Sequence, residues 1–388
     1  MIGSAFSTYR RPVADGQSIG EEEPGNRWFM HSTSPSRFQV SAMPPSLEEL
    51  ARDLDALGVS AFLAAFPDDR PRLADWAGPI AALPDDVRPI YEFLLLGRPT
   101  DRALLPPSIH TCFPALEEAA ILNSRGETAQ LAEAVLMRPT GLWLFAAPPS
   151  PFETDLYFGA DSIQLARHLD IRPGSAVLDL CSGTGLQALL AAERGATAHA
   201  VEINPVATAV ARVNAALNGI ADRVSLWSGN LFDPLPTGKV YDQVIANIPF
   251  LPGAANGSDG FDVGREILRE LPSWLAPDGT ACLTALALTT ATGIVLPEGL
   301  REFADHTGRG MVVALGERWP VDAESSLVQA LADEAADDGG DFSECVEEAV
   351  QAFRRRDVIE ARTAFVHIGA VEDASPITIL EEAVGDRS

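Results

Sequence analysis

Two clusters of residues in this sequence could do chemistry. The run Val177-Leu178-Asp179-Leu180-Cys181-Ser182-Gly183-Thr184-Gly185 reads as an apolar strand entering a glycine-bearing turn, with a helical pattern directly behind it. Glycines in such a turn let backbone N–H groups approach a ligand closely, and the helix N-terminus aims its unpaired donors at the same place. Glu202 closes the next predicted strand, 23 residues after Asp179. A carboxylate there is placed to accept hydrogen bonds from the two hydroxyls of a ribose. Gly183-x-Gly185-x-x-Ala188 also matches the dinucleotide fingerprint G-x-G-x-x-G/A. The loop by itself therefore suits a nicotinamide cofactor, another ribose-bearing ligand, or a tight turn with no ligand. The second cluster, Asn247-Ile248-Pro249-Phe250, ends a later predicted strand. A strand-terminal Asn can be a mere turn former, but one followed by Ile-Pro-Phe has a stronger claim to function.

Such clusters need a scaffold that brings strand ends together. From about residue 152 the chain alternates between the two periods: SAVLDL, a helix through LQALLAAERG, TAHAVEI, then PVATAVARVNAALNG. RVSLWSG and YDQVIANI follow, then a helix at GREILRELPSWL and a strand at TACLTALAL. Strands separated by helices argue for an α/β architecture, a parallel sheet covered on both faces. Two late β-rich stretches, MVVALGERW and TAFVHIGAV, flank an acidic helical insertion near 322–360, read as a solvated face. Upstream, residues 1–45 are rich in Gly, Ser, Pro and charge and read as a mobile arm, with Trp28, Phe29 and Phe38 able to dock. Residues 46–148 read as an accessory α+β domain of winged-helix type. It opens on a capping-box pattern at Ser46 and Glu49, continues through helices near 71–83 and 85–97, and ends in a hairpin of Ala134–Arg138 with Leu142–Phe145. A packing lid or dimerisation module is the expected role, which admits a homodimer. Pro148-Pro149-Ser150-Pro151 marks the boundary with the domain at 152–388.

Composition narrows the classes. The 388 residues carry 28 Lys+Arg against 55 Asp+Glu, a formal charge of −27, which disfavours a nucleic-acid or anionic-membrane partner because such binding needs a basic face. The four cysteines, 112, 181, 282 and 345, are far apart and fit reduced thiols rather than a disulfide framework or zinc site, so a cytoplasmic protein is expected. The six histidines are scattered without metal-ligand spacing, and no metal is expected. The longest uncharged run, Gly279 to Pro297, is broken by several Thr and by Gly293 and makes a poor membrane span, so no membrane partner is expected.

VLDLCSGTG, AVEINPVATAVARVNAALNG, SGNLF and ANIPFLPG, in that order, resemble the motif series of a class I S-adenosylmethionine-dependent methyltransferase. Within that superfamily the chain is similar to the branch with an [N/D]-P-P-[Y/F] tetrapeptide after the fourth strand. That branch includes release-factor glutamine N5-methyltransferases and "small domain" methyltransferases acting on amino groups. NGSDGFDVGREILRELPSWLAPDG resembles the branch's G-x-DG…R…L-x-PGG stretch, so the resemblance covers about 152–290.

The resemblance implies a Rossmann-like seven-stranded sheet and S-adenosylmethionine as cofactor, with methyl transfer to a nitrogen, less often an oxygen, of a small-molecule, peptide or protein acceptor. It also implies roles. Asp179 would orient the methionine amino group or the loop. Gly183, Thr184 and Gly185 would pass under the cofactor's carboxypropyl arm, with Cys181 a small filler beside it. Glu202, flanked by Ile203, would hold the ribose diol. Asn230 sits where the family has an Asp accepting from the adenine amino group, and Leu231 and Phe232 follow, the ring placed to pack on adenine. Tyr157 begins a segment, Tyr157 to Ser162, that would cover the ligand.

In the family the Asn at position 247 and neighbouring carbonyls hold a nitrogen acceptor while an aromatic ring, here Phe250, stacks on it. Holding N–H groups with acceptors aims the lone pair at the methyl, so positioning dominates over general-base catalysis. Asp259 or Asp262 could fold back as a base. Ile248 replaces the first Pro; this restores a backbone N–H, is expected to loosen the turn before Pro249, and shifts weight toward a non-standard acceptor. Two other uses of the loop compete. One keeps the cofactor but closes a ring on it without methyl transfer, or binds it as a scaffold. The other is a nicotinamide-dependent oxidoreductase, for which the chain lacks a Tyr-x-x-x-Lys pair, since Lys239 precedes Tyr241.

Overall fold

The structure is a computed structural model that describes residues 36–38, 46–66, 72–148, 154–250, 260–337, 340–369 and 377–380. Most of the expected arm lies outside the described residues, but Ser36–Phe38 is a strand, β1, rather than loose chain. Helices α1 (Ser46–Ala56), α2 (Val59–Leu63), α3 (Leu73–Ala81) and α4 (Arg88–Leu96) follow. Pro89 stands in the first turn of α4 and Gly97 ends it in the left-handed region at φ 60°. Strand β2 (Thr100–Asp101), helix α5 (Pro107–Glu118), and strands β3 (Leu122–Arg125) and β4 (Thr128–Leu131) come next. They form a small sheet in the order β2-β4-β3. Strands β5 (Val135–Met137) and β6 (Leu144–Ala146) pair antiparallel, Val135 opposite Ala146.

The remaining chain builds the large sheet. Helix α6 (Ala160–Arg167) precedes β7 (Ala176–Leu180), α7 (Leu186–Glu193), β8 (Thr197–Glu202), α8 (Pro205–Leu217), β9 (Val224–Ser228) and β10 (Tyr241–Ala246). Then come α9 (Asp262–Trp274), β11 (Leu275–Thr290), β12 (Gly293–Val295), α10 (Leu300–Thr307), β13 (Gly310–Pro320), α11 (Ser326–Asp337), α12 (Phe342–Arg355), β14 (Val358–Gly369) and β15 (Ile377–Leu380). The strand order is β1-β9-β8-β7-β10-β11-β14-β13-β15, with β12 on β11. From β9 to β11 every neighbour is parallel, and β14 inserts antiparallel between β11 and β13. The seven strands from β9 to β13 are thus the expected Rossmann-like sheet, lengthened at both edges by β1 and β15.

Chain order reverses between β7 and β10, and at such a switch point the loops leaving the two strands diverge and open a crevice at their carboxyl ends. The described residues from Ser36 onward form one compact unit. Leu47, Leu50, Phe93, Leu94 and Phe145 share a continuous buried core with Leu189, Val210 and Leu217 of α7 and α8. No helix among the described residues is long and apolar enough to cross a membrane.

Candidate active site at the sheet switch point

The loop after β7 is shaped by three left-handed residues, Cys181 at φ 54°, Gly183 at 52° and Gly185 at 94°. Gly185 also has a packing reason to lack a side chain: a Cβ there would lie 3.1 Å from the Ala211 Cβ of α8. The loop is tied across the sheet. Ser182 N–H donates to the Val201 carbonyl at 3.1 Å, and Gly185 N–H to the Ser182 carbonyl at 2.8 Å. Glu202 accepts from Gly183 N–H at Oε2 (2.7 Å) and from Asn204 N–H at Oε1 (2.8 Å). Its carboxylate is thereby held at the rim with lone pairs to spare for a diol. Ile203 beside it is an exposed apolar side chain, 43% accessible.

Asp179 is buried and accepts from Ala188 N–H at 3.0 Å, so within the protein it holds the first turn of α7. Burial pushes its carboxyl up to about 8; the Ala188 N–H opposes this and the Glu202 charge adds to it. Burial likewise raises Glu202, against the N–H groups of Asn204, Gly183 and Ile203. The Cys181 thiol is pushed up by burial and then by the charges of Glu202, Asp179 and Glu266, which removes it as a thiolate nucleophile. Any of these groups that ionises places negative charge beside the loop, which a cationic ligand would relieve. Asn230 is half-buried, Leu231 turns left-handed at φ 42°, and Phe232 is buried with Trp274 stacked on one face at 5.2 Å and 16°. That face of Phe232 is taken, leaving the other for any packing role.

The second cluster meets the loop across the crevice, because β10 pairs with β7 up to Ala246 opposite Leu180. Asn247 Nδ2 donates to Asp161 Oδ2 at 2.8 Å and to Ser162 Oγ at 3.1 Å. Two acceptors, one of them a carboxylate, fix which way the amide points, since a flipped Oδ1 would face carboxylate oxygen. Asn247 Oδ1 is left buried with no hydrogen-bond partner, and so is Ser182 Oγ. Tyr157 OH donates to the other Asp161 oxygen at 2.7 Å. Asp161 is buried, which raises its pKa, while Tyr157 and Asn247 pull it back.

Asp161 escaped the sequence reading: it stands 86 residues before Asn247 at the start of α6, where an acid is commonly a helix-terminus residue. The one signal for it was its place in the segment Tyr157 to Ser162. Of the two carboxylates that could fold back as a base, Asp262 is exposed on α9 and paired with Arg265, and Asp259 lies outside the described residues. Lys239 and Tyr241 sit with His199 at the amino end of β10, the opposite end from Asn247.

Ile248 corrects a second expectation. Its restored N–H donates to Thr284 Oγ1 of β11 at 2.9 Å, and both residues are buried, so the turn is pinned rather than loosened. Pro249 is exposed. Phe250 is buried at 8% accessibility and leans on Trp319 at 6.3 Å, so its ring is held by β13 at the crevice edge.

Residues 158–298 match the methyltransferase small domain family. A ribosomal protein uL3 glutamine methyltransferase of Bradyrhizobium diazoefficiens is 39% identical over 122 residues, covering 26% of this chain and 38% of the relative. A putative protein N5-glutamine methyltransferase of Methanocaldococcus jannaschii is 34% identical over 143 residues, 33% of this chain and 71% of the relative. A tRNA1(Val) (adenine(37)-N6)-methyltransferase of Pectobacterium carotovorum is 31% identical over 138 residues, 32% of this chain and 56% of the relative. The chain belongs to the methyltransferase small domain family of class I S-adenosylmethionine-dependent methyltransferases. It spans about two fifths of the length of the first curated relatives it matches. Membership replaces the nicotinamide reading of the loop. The residues present fit the family's cofactor: a carboxylate held at the rim of the loop with lone pairs to spare for a diol, buried acidic groups that a cation would relieve, and two buried polar oxygens without partners.

Two measurements follow from this geometry. Thr284→Val keeps side-chain shape but leaves the Ile248 N–H buried and unpaired, so stability should fall by about 1–3 kcal/mol. In an Ile248→Pro background no N–H exists to be orphaned, and the same change should cost clearly less. Urea unfolding of the four proteins reads the difference, and equal costs in both backgrounds would contradict the pinning role. For Asp179, the folded chain keeps the proton up to about pH 8 while the unfolded carboxyl loses it near pH 4, about its ordinary value. The folded state therefore binds more protons between those values, and stability falls as pH rises through that window. Thermal midpoints of Asp179→Asn should fall less steeply between pH 5 and 8, roughly that window, than those of the wild type.

Proposed function

We propose that this chain transfers the methyl group of S-adenosylmethionine to a nitrogen of a protein, peptide or small-molecule acceptor by in-line displacement. The observation that carries this reading is the amide of Asn247, whose Nδ2 is spent on Asp161 and Ser162 while Oδ1 is buried and unpartnered. A buried carbonyl oxygen without a donor costs about 1–3 kcal/mol unless a ligand supplies one. An acceptor N–H would supply it, and accepting that N–H turns the nitrogen's lone pair away from the amide. S-adenosylmethionine, when bound, supplies an electrophilic methyl on a cationic sulfur, which the acids around Cys181 favour. Asp179, Gly183, Thr184, Gly185, Glu202, Ile203, Asn230 and Leu231 are the residues proposed to hold it. Phe250, braced by Trp319, would limit the acceptor from the β13 side and tolerate positive charge on its face. Tyr157 and Asp161 would hold Asn247 rather than take a proton themselves, because both Asp161 oxygens are occupied.

A protein acceptor is supported by the relatives named for glutamine methylation and by the chain's charge of −27, which attracts basic proteins and repels nucleic acid. The relative named for tRNA adenine methylation makes RNA the comparison to run. The experiment is to incubate the protein with methyl-labelled S-adenosylmethionine and a host extract separated into protein, RNA and small-molecule fractions. Label is expected in protein or small molecules. Label in RNA would overturn the acceptor class, and methylthioadenosine with no labelled acceptor would overturn methyl transfer. Asn247→Ala should lower turnover by roughly a hundredfold or more with cofactor affinity little changed, while Glu202→Ala should weaken cofactor binding itself. Loss of cofactor binding in Asn247→Ala would remove its acceptor role.

A further inference from the structure

Two asparagines one turn apart, Asn214 within helix α8 and Asn218 at its C-cap, each treat a stretch of the accessory segment as though it were a neighbouring strand. Asn218 accepts from Trp143 N–H at 2.9 Å and donates to the Trp143 carbonyl at 2.7 Å. Asn214 accepts from Phe145 N–H at 2.8 Å and donates to the Phe145 carbonyl at 3.0 Å. The spacing works because four residues of helix rise about 6 Å and two residues of strand about 6.6 Å. The two residues differ in one respect. The second Nδ2 hydrogen of Asn218 returns to its own helix, at the Asn214 carbonyl (2.8 Å), whereas that of Asn214 reaches the Thr184 carbonyl at 3.0 Å.

Thr184 lies between the two left-handed glycines of the loop after β7, and Gly185 N–H on the same peptide unit is bonded to Ser182. That peptide plane is therefore held at both ends. Asn214 is fully buried, as is Phe145, and Thr184 is 3% accessible, so water cannot replace these bonds. A peptide plane fixed this way sets the orientation of the Gly183–Thr184–Gly185 backbone.

We propose that Asn214 is a positioning residue that couples the seating of β6 to the geometry of the cofactor loop. The accessory segment 46–148 thereby contributes to cofactor affinity through one side-chain amide. The inference rests on the loop holding S-adenosylmethionine. Coupling of this kind is reciprocal: what steadies the loop steadies Phe145, and what loosens Phe145 loosens the loop.

The test uses the full chain and S-adenosylhomocysteine as the probe. Asn214→Ala and Asn218→Ala each remove a pair of bonds to the accessory segment, but only the first releases Thr184. By calorimetry, Asn214→Ala should weaken S-adenosylhomocysteine at least tenfold, and Asn218→Ala by less than threefold, although both lower the thermal midpoint. Equal weakening by the two variants would reduce Asn214 to a general structural role and overturn the proposal. Should Asn214→Ala fail to fold, amide hydrogen exchange on the wild type decides instead. Saturating S-adenosylhomocysteine should slow exchange at Phe145 more than at Trp143, and protection of the loop with Phe145 unchanged would overturn the coupling. A wild-type chain that does not bind S-adenosylhomocysteine at all would sink the cofactor reading itself, a result distinguishable from either.

Discussion

The site depends on a topological constraint: a parallel sheet whose chain order reverses between two adjacent strands cannot close the loops leaving them over each other. Here those strands are β7 and β10, paired from Gln243 with Val177 to Ala246 with Leu180. The chain leaves β7 into a left-handed loop on one side of the crevice and leaves β10 through Asn247 on the other. Neither loop completes a site alone. The first turn of α6 bridges them: Ser162 receives Asn247 Nδ2 through its hydroxyl and Gln187 Nε2 of α7 through its carbonyl, the latter at 2.9 Å. Three chain segments far apart in sequence are thus locked by hydrogen bonds in buried surroundings, where leaving any one unmade is costly.

Electrostatics give that crevice its character. Asp161, Asp179 and Glu202 are carboxylates whose pKa values burial raises, and none of the three has an ion pair among the salt bridges of the described residues. Such acids are stabilised by backbone and side-chain donors alone, which is a partial compensation for lost hydration. The arrangement weakens the empty fold as the groups ionise and improves with any cation brought among them. A ligand carrying positive charge on sulfur would relieve these acids, and its product, neutral at sulfur, would relieve them less.

Local features of the sequence were the readable ones. The strand-to-glycine-loop run at 177–185, the carboxylate closing the next strand and the Asn-Ile-Pro-Phe tetrapeptide each announce themselves within ten residues, because turn geometry and strand ends impose residue types locally. Alternation of strand and helix after residue 152 conveyed the parallel sheet for the same reason. What escaped was relational. Asp161 looks like an ordinary helix-start acid until Asn247 is found 2.8 Å away, and Thr284 like any strand threonine until it meets the Ile248 N–H. Asn214 sits mid-helix, where asparagine is unfavourable, and that mismatch was a legible sign of a tertiary partner, whereas Asn218 caps the C-terminus of α8, where asparagine is ordinary and gives no such sign.

Ile248 shows how a departure from a family pattern is absorbed. A proline fixes its own φ and needs no hydrogen-bond partner, so it stiffens a turn without help from elsewhere. An isoleucine gives up that restraint and adds a buried donor. Thr284 resolves both consequences at once: its hydroxyl satisfies the donor, and because β11 is central in the sheet, the bond transfers the sheet's rigidity to the turn. The restraint has moved from a covalent ring to a hydrogen bond across strands. A ring restrains one residue whatever surrounds it, whereas this bond lasts only while β10 and β11 keep their register, Ala246 opposite Leu283. Placement of Asn247 is therefore tied to the integrity of the sheet on the β11 side as well as to Asp161 on the other. That double anchorage keeps Nδ2 on Asp161 and Ser162 and leaves the amide oxygen buried and unpaired in the crevice.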